Sequence, residues 1–206
     1  MAVDPKPRLR QTVASLDHQK FFDAFVCNES RAREVTRFLR NKALKEQDQG
    51  MSKTTVFLAD PTERCDAFVT LSAASLEMPR EELTALRKFV PGVMVDWLGV
   101  HIEHNGKGLG HDIFKWVERE ALALRRTSPV GLRLIVLAVR AANWTLFQRY
   151  AAVWGFTPLP LPTDPDNDES PHERPDPKNE RPEWLAESRF IHMYYDLLSR
   201  KNAEPQ

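Results

Sequence analysis

The sequence predicts an α/β fold, in the wider α+β sense, with a mixed central sheet built around a parallel βαβ core. An apolar strand pattern at Val93–Ile102 leads into a glycine-rich loop, and helical periodicity then covers His111–Arg126. Leu132–Val139 is an almost continuous apolar run, which is typical of a strand buried on both faces. A strand, a helix and a strand of these lengths form a crossover with parallel strands.

Other elements are predicted before this core. Residues 18–46 have helical periodicity and predict a helix. Thr54–Ala59 is β-branched and aromatic and predicts a strand, and Asp66–Ala74 predicts its hairpin partner because Asp60–Glu63 contains turn residues. Residues 79–88 predict a short polar helix or a loop.

Three further elements are predicted after the core. Trp144–Val153 predicts a helix, and Gly155–Leu159 and Phe190–Leu197 predict strands. The intervening segment, at about 158–183, contains eight of the 15 prolines and is rich in acidic residues. A segment of this composition cannot bury enough apolar surface to order itself, so we predict a mobile insertion.

Length and composition restrict the class of protein. The 206 residues predict one domain at 18–200, with an N-terminal arm at 1–17 and a tail at 201–206. Lys+Arg and Asp+Glu both number 29, so net charge favours neither nucleic acid nor a membrane. Two cysteines are too few for a disulfide scaffold, and no apolar signal-peptide core is visible, so we expect a cytoplasmic protein without membrane contact.

The loop NGKGLG, Asn105–Gly110, is the main chemical signal. Glycines let the backbone turn tightly and approach a ligand, and the first N–H groups of the following helix lack internal partners. Such a site suits a pyrophosphate. The spacing matches neither a P-loop nor a dinucleotide fingerprint, and a glycine-rich turn without any ligand remains the alternative.

This stretch, following LGVHIEH, resembles motif A of the GNAT acetyltransferase superfamily, [QR]-x-x-G-x-[GA]. Asn105 takes the Gln/Arg place, and Gly108 and Gly110 take the two small positions. The resemblance implies that loop amides hold the pyrophosphate of acetyl-coenzyme A and that the preceding strand, in a splayed parallel core, pairs with its pantetheine arm. The predicted cofactor-binding residues are Leu98, Gly99, Val100, Asn105, Gly106, Lys107, Gly108, Leu109, Gly110, His111 and Asn143.

A narrower resemblance is to the branch of this superfamily that contains bacterial toxin acetyltransferases. Its signals are Phe25 and Cys27, then FL at 38–39, then Gly-x-Ser-x-Thr at 50–54. The resemblance implies an acceptor that is the amino group of a charged transfer RNA, and a ribbon-helix-helix antitoxin as partner. A homodimer is also open.

Arginines at 33, 37 and 40 share one helical face and would suit phosphate contacts. The alternative is an ordinary solvated face. Two features weaken the case for nucleic acid. Trp97 stands where the toxin branch usually carries arginine, and the insertion is acidic.

Acetyl transfer to an amine requires stabilisation of the oxyanion and protonation of the leaving thiolate. By resemblance, the N–H of Val100 is the candidate oxyanion donor. The family often uses a tyrosine in N-x-x-A-x-x-φ-Y-x-x-x-G-F as the acid. Here the segment Asn143–Phe156 is one residue longer, so Tyr150 fits only if the extra residue follows it, and a packed core tyrosine is the alternative.

The general base is less defined. Asp96 shares strand parity with Leu98 and Val100, but a carboxylate of ordinary pKa is a poor base unless burial raises that pKa. A water relay, or binding of a cationic substrate by Asp96, remains open. The histidines around the loop do not form a metal-ligand set, so no metal is expected, and His111 is either a neighbour of the phosphates or plain surface.

The hypothesis is therefore an acetyl-CoA-dependent N-acetyltransferase that acts by direct attack of a primary amine, on a small molecule or a protein. The alternatives are a toxin-type enzyme that acetylates aminoacyl-tRNA, and a non-catalytic GNAT module that binds acyl-CoA.

Overall fold

The structure is a computed structural model that describes residues 9–27, 33–59, 64–78, 89–160, 174–183, 185 and 189–198. The strands are β1 (Leu9–Val13), β2 (Lys53–Ala59), β3 (Arg64–Glu77), β4 (Phe89–Val100), β5 (Leu134–Arg140), β6 (Thr157–Pro158) and β7 (Phe190–Asp196). The α-helices are α1 (Gln19–Ala24), α2 (Arg33–Asn41), α3 (Ala43–Asp48), α4 (Leu109–Thr127) and α5 (Trp144–Trp154). The strands form one mixed sheet in the order β1-β2-β3-β4-β5-β7-β6, which confirms the predicted fold class.

The described residues fall into two compact units. The first lies within Met1–Ala73 and Val95–Ala123, and the second within Ala74–Met94 and Leu124–Gln206. The single domain predicted at 18–200 stays a prediction.

In the first unit, β1, β2 and β3 are antiparallel neighbours, so the predicted hairpin is confirmed. A buried pair, Thr54 opposite Thr70, joins β2 to β3 through a hydroxyl hydrogen bond of 2.8 Å. Strand β1 lies in the segment predicted as an arm. Its residues are all half-buried or exposed, so it lacks the apolar alternation that would have indicated a strand.

The helical periodicity over residues 18–46 is divided among several short helices. A 3₁₀ turn and α1 end at Ala24, because Phe25 takes an extended conformation (φ −68°, ψ 128°) and inserts its ring into the core. A separate helix, α2, begins at Arg33, and Lys42 separates it from α3. The apolar periodicity was real, but it belongs to consecutive short helices.

Arg40 of α2 makes this break stable. Its Nε donates to the carbonyl of Phe22 at 3.2 Å, and its Nη2 donates to the carbonyl of Phe25 at 2.8 Å. Carbonyls at a helix end have no partner within the helix. Arg40 therefore satisfies the end of α1 and ties it to α2.

The predicted central strand and helix are confirmed, with one correction at their junction. Strand β4 ends at Val100, and Ile102–His104 forms a 3₁₀ turn instead of continuing the strand. The reason is that the backbone N–H of His101 bonds to Asp66 O, and that of Ile102 bonds to Val26 O, each at 2.8 Å. The apolar residues spaced along α4 at Ile113, Val117 and Ala121 are buried, whereas Leu124 is 46% exposed.

In the second unit, β5 pairs antiparallel with β7, and the two-residue β6 pairs with β7. The N–H of Arg133 donates to Pro91 O at 3.0 Å. The first residues of β4 and β5 thus lie side by side, as the predicted parallel crossover requires. The strand expected at Gly155–Leu159 is confirmed only over its centre.

Part of the proline-rich segment is hydrogen-bonded to α5, and the mobile insertion at about 158–183 stays a prediction. Residues 161–173 lie outside the described part of the chain. Within 174–183, however, the carbonyl of Asn179 accepts hydrogen bonds from Trp144 Nε1 at 2.9 Å and from Gln148 Nε2 at 3.2 Å. Side-chain donors on α5 therefore hold a segment whose composition alone indicated disorder.

None of the described helices has the length and apolar character needed to cross a membrane.

Candidate active site

The glycine loop, residues Asn105–Gly110, links the 3₁₀ turn after β4 to the start of α4. Two of its glycines have left-handed backbone conformations, with φ of 75° at Gly106 and 83° at Gly108. Residues with a Cβ rarely adopt such angles. The glycines are therefore required by the path of the backbone, and they lie where the sequence predicted the cofactor loop.

Backbone donors gather at the end of this loop. The N–H groups of His111 and Asp112 both bond to the carbonyl of Gly108. Within the described chain, the N–H groups of Gly108, Leu109 and Gly110 donate to no protein acceptor. They stand at the N-terminus of a 19-residue helix, where the helix dipole adds partial positive charge. This arrangement is suited to an anion with several oxygen atoms.

A polar cluster, which we call the loop anchor, holds the turn before the glycine loop. Arg64 of β3 donates through Nε to Asp66 Oδ1 at 2.8 Å and through Nη1 to Glu103 Oε2. Its Nη2 lies 3.0 Å from His104 Nε2. Hydrogen bonding and charge from Asp66, then from Glu103, raise the pKa of Arg64, whereas burial opposes this. The cation is thus fixed against two carboxylates.

One nitrogen of His104 faces two groups in this anchor. Its Nε2 lies 3.0 Å from Asp66 Oδ2 as well as 3.0 Å from the Arg64 guanidinium. Asp66 is fully buried, and a buried carboxylate oxygen without a donor costs about 1–3 kcal/mol. A proton on Nε2 would satisfy Asp66 Oδ2, whereas only an unprotonated Nε2 accepts from Arg64, so the two contacts need different tautomers of His104.

No local sequence pattern indicates the loop anchor. Its β3 residues and its turn residues are about 40 positions apart, so no local pattern could connect them. Arg64 and Asp66 stand two apart in a strand, which alone indicates nothing about a partner loop.

The other histidines near the loop have distinct environments. His101 is buried, with its ring edge-on to Phe25 at 5.8 Å, and burial followed by the charge of Arg64 lowers its pKa. It is therefore a neutral packing residue that also accepts a bond from the N–H of Glu103. His111 is half-buried at the start of α4. Over the described ranges, no three His, Cys, Asp or Glu side chains are grouped as metal ligands.

Gly99 has a packing reason that the sequence did not reveal. A Cβ at this position would lie 2.5 Å from Phe68 Cε1 and 2.9 Å from Val35 Cγ1. The space beside its Cα is thus filled by the core, whereas the sequence suggested a bulge or a ligand. The neighbouring Val100 lies next to the glycine loop, since its Cγ2 would be 3.8 Å from a Cβ at Gly110.

Asp96 of β4 has the environment that a carboxylate base would need, in which burial raises the pKa. It is half-buried, and its Oδ2 is buried without a hydrogen-bond partner among the described residues. Burial raises the pKa of Asp96, a hydrogen bond from Ser72 opposes the shift, and the charge of Glu46 adds to it. The neighbouring Trp97 stacks on Phe38 at 4.7 Å and belongs to the core.

Tyr150 and Asn143 belong to the second unit. Asn143 ends the 3₁₀ turn before α5. Tyr150 is 8% exposed and packs against Trp154 and Phe156, with ring centroids 4.5 Å and 5.8 Å away. Burial raises the pKa of Tyr150 to about 12, while the charge of Arg149 opposes the shift.

Tyr150 lies in the second half of α5. Helix α5 continues to Trp154 and ends at Gly155, which has a left-handed φ of 72°, and the N–H of Phe156 bonds to the carbonyl of Tyr150. The helix runs without interruption from Tyr150 to this cap. The helix is equally regular on both sides of Tyr150, so the match of Tyr150 to the family's tyrosine stays a prediction.

Comparison with known proteins gives similarity at the level of structure. The chain matches no protein-family model and no curated protein. It is similar to AtaT complexed with acetyl-methionyl-tRNAfMet, at 15% identity and a TM-score of 0.65, over 95% of this chain and 99% of that one. It is similar to a bacterial toxin at 15% identity and a TM-score of 0.66, over 96% and 95% of the two chains.

A third similar structure is a variant of the AtaT toxin bound to the C-terminus of the antitoxin AtaR and acetyl-CoA. It is 16% identical, with a TM-score of 0.61, over 96% of this chain and 99% of that one. Identities this low establish the fold and nothing finer. Over nearly its whole length, the chain therefore has the GNAT fold, in common with these toxins.

Proposed function

We propose that this protein is an acetyl-CoA-dependent N-acetyltransferase that transfers acetyl to a primary amine by direct attack. The observation that carries the proposal is the glycine loop, with left-handed Gly106 and Gly108 and with amides at 108–110 that have no acceptor among the described residues. The fold adds support, since a toxin of similar structure is bound to acetyl-CoA. Backbone donors would hold the diphosphate, with Asn105, Lys107 and His111 beside it.

The proposed reaction involves no covalent enzyme intermediate. The neutral amine attacks the thioester carbonyl carbon, a C–N bond forms, the C–S bond breaks, and coenzyme A leaves as a thiolate. The N–H of Val100 is the proposed donor to the oxyanion. Leu98 and Gly99 would pair with the pantetheine arm, and Asn143 would contact the cofactor.

Tyr150 is the proposed acid, and its environment defines how it can act. A pKa of about 12 keeps the phenol protonated throughout the physiological range. A thiol has a pKa of about 8.5 in cysteine, so full transfer of the proton to a free thiolate would be uphill. Tyr150 would therefore donate a hydrogen bond as charge develops on sulfur, with the proton lost by the amine completing the transfer.

Asp96 would take up the proton of the amine or bind its ammonium form. Its partly unpartnered, half-buried carboxylate supports either role. Glu46 contributes charge at the same place, which favours a cationic acceptor over an anionic one.

Calorimetric titration with acetyl-CoA tests the binding half of the proposal. We expect saturable binding, and the absence of binding at millimolar ligand would refute the assignment. Thiol release against a panel of amines then separates an enzyme from a non-catalytic acyl-CoA-binding module.

Tyr150→Phe tests the catalytic half. General acid catalysis contributes about 10²–10⁴-fold, so turnover should fall by about 10²-fold with little change in acetyl-CoA affinity. The matched control is Tyr195→Phe on β7, which removes another phenol. A Tyr150→Phe variant with wild-type turnover would remove Tyr150 from the mechanism.

The second candidate acceptor is the amino group of an aminoacyl-tRNA. It is favoured by the similarity to AtaT in complex with acetyl-methionyl-tRNAfMet, and an antitoxin would then be the expected protein partner, as in the AtaT–AtaR complex. Expression in a bacterial host discriminates the two acceptors. A translation-blocking enzyme should arrest growth and its Tyr150→Phe variant should not, whereas an enzyme for small amines should permit growth in both cases.

A further inference from the structure

A pocket of about 540 Å³ opens beside α2 in the first unit. Its walls include Arg33, Thr36, Arg37, Arg40, Asn41 and Cys27. The volume is in the range of small-molecule sites, and three guanidinium groups line it. The pocket contains none of the residues assigned to acetyl transfer.

The frame of this arginine pocket is held by internal hydrogen bonds. Arg40 donates hydrogen bonds to the carbonyls of Phe22 and Phe25, so its charge is held in the wall of the pocket. Thr36 Oγ1 accepts a bond of 3.1 Å from the N–H of Cys27 and joins the opposite wall to α2. These bonds hold two lining residues, Thr36 and Arg40, to neighbouring backbone groups.

Two arginines in the wall, Arg33 and Arg37, form no ion pair with a described carboxylate. Arg33 and Arg37 are exposed and stand one helical turn apart, so they project from the same face. Across the part of the chain that the structure describes, no carboxylate forms an ion pair with either of them. Like charges at this spacing repel. An anion in the pocket would attract both guanidinium groups and offset their repulsion.

We infer that the arginine pocket binds a phosphate group together with part of the molecule that carries it. Arginine presents a rigid fork of donors that matches phosphate geometry. Three cations exceed what a single carboxylate would neutralise, and a phosphate carries up to two charges. The pocket is also larger than a bare phosphate, which leaves room for an attached sugar.

The phosphate could belong to an RNA backbone or to a small phosphorylated molecule. Use of the pocket for the backbone of an acceptor RNA rests on the proposed function. The affinity of the pocket for phosphate does not, because the residues involved are separate from the glycine loop.

The test compares two double variants of the full chain that lose the same charge. Arg33→Gln/Arg37→Gln empties the pocket of its free cations. Arg119→Gln/Arg126→Gln removes two exposed arginines from α4 and serves as the control. Binding of inorganic phosphate and of a single-stranded RNA of about ten nucleotides is titrated at several salt concentrations.

We expect the pocket variant to bind RNA about tenfold more weakly at low salt, with the salt slope reduced by about 0.7 for each lost contact, while the control keeps wild-type behaviour. If inorganic phosphate alone shows this dependence on the two arginines, the ligand is a small phosphorylated molecule. Equal weakening in both double variants, or no dependence on either pair, would overturn the inference.

Acetyl-CoA titrations of both double variants make a failure of this inference distinguishable from a failure of the proposed function. Wild-type acetyl-CoA affinity with lost RNA affinity supports both proposals. Arginine-dependent phosphate binding in a chain that binds no acetyl-CoA would retain the pocket and refute the enzyme.

Discussion

Asp96 has a carboxylate in an environment that opposes its charge. Burial is the main cause of its raised pKa, and Glu46 adds a second negative charge, against one hydrogen bond from Ser72. A residue selected for stability alone would not need this ionisable group on a half-buried strand. The arrangement is consistent with the proposed role, in which the carboxylate takes a proton or pairs with an ammonium ion.

Asp96→Asn should therefore stabilise the protein at neutral pH, by about 1 kcal/mol in the free energy of unfolding, while it reduces acetyl transfer. The pKa of Asp96 is higher in the folded than in the unfolded state. The ionised carboxylate therefore lowers the stability of the fold, and this penalty is fully present above the folded-state pKa. The penalty is lost as pH falls through that pKa towards the ordinary value. Urea unfolding of both proteins across this range measures the difference.

Asp17→Asn is the control for this prediction, because Asp17 is an exposed carboxylate. Its effect should stay within about 0.5 kcal/mol at each pH. An Asp96→Asn variant that is less stable than the wild type at neutral pH would show that the carboxylate is paired in solution.

At the level of elements, the turn from β4 into α4 forms the proposed cofactor site, and glycine conformation is its critical property. Strand β4 ends at Val100, and the 3₁₀ turn then changes the direction of the chain. Gly106 and Gly108 adopt positive φ, and α4 begins directly after them with the backbone N–H groups described above. The glycine pattern predicted the loop correctly. It could not predict the anchor beneath it, because those contacts come from another strand.

Gly108→Ala should separate the function of the loop from backbone strain. A Cβ in the left-handed region costs about 1–2 kcal/mol, and Gly50→Ala provides a matched control, since Gly50 has a φ of 68° and open space around its Cα. Both variants should lose similar stability in thermal unfolding. Only Gly108→Ala should lose acetyl-CoA affinity, by about tenfold or more.

Wild-type acetyl-CoA affinity in both the Gly108→Ala and the Gly50→Ala variant would place the cofactor outside the loop. Loss of affinity in both variants would instead indicate that general destabilisation, not local geometry, controls binding.

Two elements show why other predictions failed. Apolar periodicity cannot distinguish one long helix from short helices joined by turns, and the break after α1 depends on Phe25 and on Arg40 reaching back to its carbonyls. Strand β1 is an edge strand that buries little of its own surface. Its pairing with β2 comes from backbone hydrogen bonds, which the sequence does not encode as a pattern.

For the whole molecule, local patterns predicted the fold and the order of the elements from β2 onward, and contacts between distant segments were beyond them. The strand–loop–helix stretch contains its own signals, since glycines, apolar runs and the helix stripe are neighbours in sequence. The arginine pocket was visible only as a helical stripe. The loop anchor was invisible, because β3 and the turn before α4 meet only after the sheet has formed.

The loop anchor therefore supports a prediction that no local pattern would suggest. Arg64→Gln leaves Asp66 buried beside His104 alone, and should destabilise the protein by about 2 kcal/mol, because an uncompensated buried charge is costly. Partial exposure of Arg64 keeps the estimate below that for a fully buried pair. Arg64→Gln/Asp66→Asn removes both charges and should cost less than the sum of the single changes.

Urea unfolding of the wild type, both single variants and the double variant measures this coupling as a double-mutant cycle. If Arg64 and Asp66 act through the turn, all three variants should also bind acetyl-CoA more weakly, since Glu103 and His104 lose the contacts that hold them. Additive effects on stability would mean that the two side chains act independently. Coupled stability with unchanged acetyl-CoA affinity would restrict the anchor to folding and separate it from the site.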